Sequence, residues 1–506
     1  MSSSKNNYSS TQKWTLLATI LASSLVFIDG TALNVALPAL QRDLNLSGAQ
    51  LLWVINGYAL FLSALLLLGG SLGDLYGRNK IFLIGLILFS VSSFFCGIAQ
   101  SSYHLLIARS FQGVGGALLT PGSLSILSAH FDNSNRGQAI GLWSTFSALT
   151  GVLGPILGGW LAGMGLWRII FFLNIPLSIM VLIIMLTKVP ETSNKNAQKL
   201  DVWGALFVVL GLTGLTYGFI ESASLGFFHP IIISSVFIGC ASLVLFILVQ
   251  KRSRHPMMPL SLFKSSTFSG GNLLTLFVYA AMGGVLFFVP LNLIDIQGYS
   301  EVNTGLAMLP IIICIASISP LMGKYVDKNG YRKPLIVGPI IISIGYYLFS
   351  LCGITNGAEE YWTTFFLPFL ILGIGMGITV APLTTSVMGS VSEENIGVGS
   401  GVNNVIARAA NVLAVALMGA LALYLFTAYV TDGINALELG QHIKQEVIVE
   451  AVNFTGAKVP SDVIIDQKET IAILYKNAFV EAFNQIVYIA VGLTLLSSVV
   501  SYRMIK

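Results

Sequence analysis

Asp29 stands inside an otherwise apolar run, LATILASSLVFIDGTALNVALPAL at residues 17–40, where an ionisable side chain is expensive and therefore a functional candidate. Burial disfavours its charged form, and a nearby cation or water favours it, which is the behaviour a proton-exchange site requires. A structural alternative stays open, with the carboxylate capped by Thr31 or by a neighbouring helix. Arg109 enters a later apolar run near the depth expected for Asp29. A cation held there would favour the charged carboxylate, and a change in their separation would alter that preference. The alternative is an arginine snorkelling to the headgroups from a helix end. Gln112, one turn further in, can hydrogen-bond a partner helix or a substrate. Ser400, Asn404, Arg408 and Asn411 recur at helical spacing and make one polar stripe. Bonding across helices is the expected reading of that stripe, and lining of a wet cavity is the other. Asn34, Asn56, Gln112 and Arg408 are the candidate substrate-cavity residues, while Glu221 and Asp295 fall near span ends and read as interfacial.

The elements that must hold these side chains are membrane helices. Charged residues make up 9% of the 506 and apolar residues 55%, whereas soluble domains carry roughly 25% charged residues. So few charges cannot cover a soluble surface. The apolar runs extend for about 18–25 residues, enough for a helix to cross roughly 30 Å of hydrocarbon, and the alternation of a membrane barrel is absent. An all-α polytopic membrane protein follows. Fourteen spans are expected near 14–38, 51–73, 80–98, 104–128, 138–162, 167–187, 202–221, 230–250, 270–296, 302–324, 334–352, 362–388, 397–426 and 479–502. An even number puts both termini on one side. With that side cytoplasmic, its segments hold 18 of the 26 basic residues, and the outer segments hold six. The opening MSSSKNNYSSTQKW is too weakly patterned for a targeting peptide, and no small-residue cleavage site follows the first apolar run. The four cysteines fall within spans without metal-ligand spacing and read as apolar fillers. The net charge of +4 is accounted for by the cytoplasmic loops and implies no nucleic-acid partner.

A charged turn occurs twice. GGSLGDLYGRNK at 69–80 joins spans 2 and 3, and MGKYVDKNGYRK at 322–333 joins spans 10 and 11; Gly70, Asp74, Gly77 and Lys80 match Gly323, Asp327, Gly330 and Lys333. A second echo relates GVGGALLTP at 113–121 to GIGMGITVAP at 373–382. The nearly equal offsets relate spans 1–6 to spans 9–14, with spans 7 and 8 between the halves, a repeat architecture common among secondary transporters. In the first copy, the glycines allow close approach and a sharp turn. Asp74 can pair with Arg78 and accept from amides at a neighbouring helix N-terminus. Such a staple can hold two bundles in one state and release them in another; the plain alternative is a short positive loop. GVLGPILGGWL at 151–161 sets Gly151, Gly154 and Gly158 on one helix face with Pro155 between, which permits close packing and a bend.

These stretches together resemble the major facilitator superfamily. GGSLGDLYGRNK resembles its signature loop between helices two and three, LLIARSFQGVGGALLTPGS its fourth-helix motif, and GVLGPILGGWL, with Gly159, the fifth-helix motif of its antiporters. FIDGTALNVALPAL, WRIIFFLNIPL, SGVNNVIARAANVLAVALMG and AFVEAFNQIVY resemble the fourteen-span drug:proton antiporter branch, so the likeness covers essentially the whole chain. It implies two six-helix bundles with an inserted helix pair, alternating access, and export coupled to proton entry. The domains are then residues 1–201, an inserted pair at 202–250, a linker at 251–269, and 270–506 with an outer segment at 427–478 that is either folded or a loose connector. It ties Arg109 to proton coupling, lends Asp29 a D-x-T pattern, and makes Gly70, Asp74, Gly77, Arg78, Lys80 and Asp327 a conformational switch. The second turn departs from the pattern, with Tyr331 where the first has Arg78.

No Walker-type phosphate loop, zinc-protease motif or serine-nucleophile elbow occurs. The expectation is no enzyme and no cofactor beyond a proton gradient, but a monomeric exporter in the cytoplasmic membrane, both termini inside. Its partners are protons, the lipid bilayer and a small-molecule substrate, amphipathic or cationic drugs and toxic compounds. A native metabolite such as a siderophore, lipid or antibiotic is the alternative cargo.

Overall fold

The computed structural model describes residues 8–131, 133–192, 200–392, 395–461, 463 and 465–505. The opening residues 1–7 and residues 193–199 after span 6 lie outside the described residues. Thirteen helical segments among the described residues are long and apolar enough to cross a membrane. They are span 1 Ser10–Leu44, span 2 Gly48–Tyr76, span 3 Arg78–Gly97, span 5 Asn133–Gly163, span 6 Ile169–Lys188, span 7 Val202–Leu225 and span 8 Pro230–Arg252. The second half supplies span 9 Ser266–Ile296, span 10 Glu301–Asn329, span 11 Arg332–Ser350, span 12 Phe366–Gly389, span 13 Ile396–Asn435 and span 14 Ile465–Met504. Span 4, Ser102–His130, is the fourteenth. Its hydropathy is lowered by His104, Arg109, Gln112 and His130, but its 29 residues reach about 43 Å at 1.5 Å per residue, and it lies along spans 2 and 3.

Polar side chains set the helix starts. Ser9 and Ser47 each accept from the amide three residues on, and Gln12 and Gln50 reciprocate, so two orphan groups are satisfied at once. The two charged turns are closed alike: Gly77 and Gly330 have φ of 109° and 77°, and their amides bond Gly73 O at 3.1 Å and Val326 O at 2.9 Å. A side chain is strained at that φ, which is why both copies keep glycine.

The second sequence echo is structural too. Gly113 and Gly115 press span 4 against the backbones of span 2 at Tyr58 and span 3 at Phe89. Gly373 and Gly377 press span 12 on span 10 at Ile311 and Cys314, and Gly375 presses it on span 11 at Ile342. Spans 1–6 and 9–14 are therefore two six-helix bundles built by one packing rule. Spans 7 and 8 pack together, and span 7 covers the seam where span 2 meets span 13, with Leu212 against Leu60 and Val412.

Span 1 begins and span 14 ends on one face, termed terminal here; the opposite face is distal. At the terminal face Gln12 bonds His130 O and Ser266 bonds Met504 O. At the distal face the outer segment differs from the expected 427–478. Helix continues through Asn435, since Val430 and Ile434 still have a core to bury in, and it resumes at Ile465. Between them a helix, Gln441–Glu450, leads into a turn, Ala451–Gly456, whose Phe454 packs on Phe288, Phe426 and Phe479 with ring centroids 5.9, 5.1 and 5.1 Å apart. The segment is folded, not a loose connector.

Candidate transport site

Asp29 and Arg109 meet in the middle of the first bundle. Arg109 donates to Asp29 Oδ2 at 2.5 Å, and the side chains are 0% and 1% exposed. Gln112 Nε2 donates to the other carboxylate oxygen at 2.8 Å, and Asn174 Nδ2 donates there at 3.3 Å. Both oxygens accept from nitrogen donors, the arrangement of an ionised acid. The guanidinium in turn donates to Gln112 Oε1 at 2.7 Å and to Val54 O at 3.4 Å, and lies 4.2 Å from the Tyr58 ring centroid. Asn174 and Gln112 both reach Ser93 Oγ, at 2.8 and 3.3 Å, and that hydroxyl donates to Phe171 O. Spans 1, 2, 3, 4 and 6 are thus tied at one point. The snorkelling-arginine alternative does not fit this burial; for Asp29, Thr31 donates instead to Phe27 O, and it is neighbouring helices that hold the carboxylate.

Sequence reasoning missed three members of the network. Asn174 carries the same signal as Asp29, a polar group amid an apolar run. Ser93 and Tyr58 are ordinary in membrane helices and give none.

The stripe on span 13 behaves differently from its expected bonding across helices. Ser400, Arg408 and Asn411 are half-buried and Asn404 is exposed; among the described residues none makes a side-chain bond to another helix. The bond across helices falls one position earlier, where Asn403 donates to Asn272 at 3.0 Å and Thr275 at 2.7 Å. The reason is register: Asn403 reaches acceptors on span 9 of its own bundle, while Asn411 of the stripe packs on Gly283 of that span without a bond and Arg408 lies toward the seam. Arg408 has Tyr58 of span 2 and Tyr279 of span 9 as its electrostatic neighbours. Among the described residues, fully buried Asn56 has no partner for either amide atom, and half-buried Asn34 on span 1 makes no side-chain bond.

In the first charged turn Asp74 pairs with Arg78 at 2.8 Å. The amides at the start of span 3 are capped by a different acid: Glu191 accepts from Asn79 N at 2.9 Å and Lys80 N at 3.0 Å. Asn79 clamps the same segment through Val189 O and Pro190 O. Lys80 is exposed, and Gly70 packs against Pro121. In the second turn Asp327 is exposed and among the described residues makes no ion pair, and Arg332 donates to Tyr502 O at 2.9 Å.

The fifth-span motif works on two sides. Gly154 and Gly158 receive the backbone of span 1 at Thr31 and Ala32, while Gly151 faces open space. Gly159 and Pro155 meet span 10 of the other bundle at Glu301 and Gly305. This distal seam is reinforced by Arg42–Glu301 at 2.7 Å and by Gln41 donating to Asn453 O at 2.9 Å. Trp53 donates to Glu221 at 2.8 Å, and Thr455 to Gln41 at 3.2 Å.

Two repeated helical bundles joined by a seam, with a buried acid–base pair in one of them, define a polytopic membrane transporter. The chain belongs to the Major Facilitator Superfamily, whose family model matches residues 19–415. It is 30% identical over 491 residues to multidrug resistance protein Stp of Mycobacterium tuberculosis, covering 95% of this chain and 89% of that protein. It is 29% identical over 410 residues to the tetracenomycin C resistance and export protein of Streptomyces glaucescens, covering 80% and 75%. The inward-facing crystal structure of a bacterial homolog of the human lysosomal transporter Spinster shares the fold, with a TM-score of 0.68 at 19% identity over 98% of this chain and 99% of that one.

Proposed function

We propose that the protein exports drugs and other toxic amphipathic compounds across the cytoplasmic membrane in exchange for protons, working as a monomer. The observation that carries this reading is the Asp29–Arg109 pair, which ties span 1 to span 4 without exposure. A proton reaching Asp29 removes the charge that holds Arg109, so the tie loosens and an uncompensated guanidinium is left behind. Residues 1–201 and 270–506 then rock about the seam, and 202–250 rides on it. The names of the relatives, a multidrug resistance protein and a resistance and export protein, support the cargo class and direction.

The terminal face is the cytoplasmic one, supported by its Lys251-Arg252-Ser253-Arg254 cluster. With the distal seam closed, this state opens to the cytoplasm. The charged turn acts on the balance between states, and the fifth-span motif seals the distal side. Purified protein in proteoliposomes under an imposed pH gradient should accumulate drug against its gradient; absence of gradient-driven transport for a broad drug panel defeats the proposal. Cysteines at Ser101 and Asn356 should react with an impermeant thiol reagent from outside whole cells, and those at Asn135 and Asn329 should not. Outside labelling of Asn329 would reverse the orientation.

A further inference from the structure

The charges near the seam do not balance. The ion pairs among the described residues are Arg42–Glu301, Arg78–Asp74, Arg109–Asp29, Arg168–Asp43 and His442–Glu446, and Arg408 is in none of them. The expectation of cationic cargo rests on Asp29 as a free carboxylate, but that carboxylate is already held by Arg109, Gln112 and Asn174. Glu221 and Glu301 are engaged at the distal end by Trp53 and Arg42. Asp295 lies at the same distal end, beside Thr455 and Arg42, and the group left over at the seam is the half-buried Arg408 guanidinium, which stays protonated in proteins.

Its surroundings describe a ligand. Ala409, Val412 and Leu413, next to it in sequence, pack on Leu60 and Ala64 of span 2, so Arg408 lies where the bundles meet. Tyr58, whose ring lies against Arg109, and Tyr279 are its electrostatic neighbours, one from each bundle, and among the described residues the buried Tyr58 hydroxyl has no partner. A half-buried guanidinium with no partner bears part of the several kcal/mol that a charge loses when it is withdrawn from water. A guanidinium fork beside tyrosine rings satisfies that cost with a planar oxyanion on an aromatic body.

Resting on the exporter reading, we infer that Arg408, flanked by Tyr58 and Tyr279, is the anchor for organic anions, so that the preferred cargo is an amphipathic compound bearing a carboxylate, sulfonate or phenolate. With an anion on Arg408 and Asp29 paired with Arg109, the centre carries no net charge. After release and protonation of Asp29 both arginines are uncompensated, and a potential negative in the cytoplasm draws that form back. Proton and anion therefore alternate through the conformational change rather than by competing for one carboxylate.

Two xanthene dyes of similar size isolate the sign of charge: fluorescein, an anion in mildly alkaline buffer, and a cationic rhodamine ester. Binding to purified protein is read by fluorescence anisotropy. Fluorescein should bind at least about tenfold tighter than the rhodamine, and Arg408→Gln should weaken fluorescein by about tenfold or more while moving the rhodamine less than about twofold. Arg408→Lys should fall between, because it keeps the charge and loses the fork. Tighter rhodamine binding, no fluorescein binding, or an unchanged fluorescein affinity in Arg408→Gln overturns the inference. The wild-type dye comparison decides even where a variant does not fold. Gradient-driven transport of rhodamine alone would leave the exporter reading standing while this inference falls; transport of neither dye nor any other drug would defeat the exporter reading itself.

Discussion

The two bundles follow one packing rule but differ in the chemistry of their interiors. In the first, a carboxylate and a guanidinium neutralise each other among Gln112, Asn174 and Ser93. In the second, the bonds between spans 9 and 13 are neutral, Asn403 to Asn272 and Thr275, and Arg408, half-buried toward the seam, is in no ion pair among the described residues. The terminal turns repeat this division: the first is closed by an ion pair and by Glu191, the second by glycine geometry and a single Arg332 bond. A duplicated scaffold thus conserves backbone devices, while charge is concentrated in one copy. On the proposed reading, the first bundle responds to a proton and the second offers a surface for the cargo.

The sharpest way to break the comparison is to remove each arginine. Arg109→Gln leaves Asp29 buried and uncompensated, so stability should fall by about 3–5 kcal/mol. The Asp29→Asn/Arg109→Gln pair should recover most of that loss. Arg408→Gln should leave stability unchanged or higher. Thermal unfolding in one detergent ranks all three, and equal losses at Arg109 and Arg408 would erase the distinction.

The turns come next. Asp74→Asn should slow transport by roughly tenfold, about 1.4 kcal/mol in barrier, and Asp327→Asn by less than about twofold. Substrate affinity in detergent should be unchanged in both. Equal losses would make the turns equivalent.

The smallest contrast is at the shared glycines. Gly330→Ala adds a methyl group at φ 77° with open space around it and should cost about 1 kcal/mol. Gly77→Ala meets the Glu191 carboxylate at 3.0 Å as well, so its cost should reach about 2 kcal/mol. A calorimetric or denaturant midpoint comparison tests the order; a larger effect at Gly330 contradicts it.

Much of this was legible in the sequence because membrane physics leaves few options. Runs of apolar residues fix the spans, and the echo at Gly113 and Gly373 gave the two bundles before any contact was visible. Asp29 and Arg109 stood out because a charge in lipid has to be explained. Other features were hidden because they depend on which face a helix turns toward its neighbours. Nothing in the spacing says that Asn403, rather than the stripe beside it, bonds to span 9. That Glu191 caps span 3 across 112 residues of chain is a tertiary fact. Where the helix stops at the outer segment was not legible, because hydropathy marks where the membrane ends, not where a helix does; Val430 and Ile434 keep span 13 helical beyond it.

The central claim is that the proton acts by opening the Asp29–Arg109 pair. It is tested most directly by transport of one drug in proteoliposomes in two modes, downhill exchange without a pH gradient and uphill accumulation driven by one. Asp29→Asn, and the Asp29→Asn/Arg109→Gln pair that avoids a stranded charge, should retain exchange and lose accumulation entirely. Gradient-driven accumulation at the wild-type level in either variant would contradict the account and move the coupling group elsewhere, with Asp295 and Glu221 the next carboxylates to substitute.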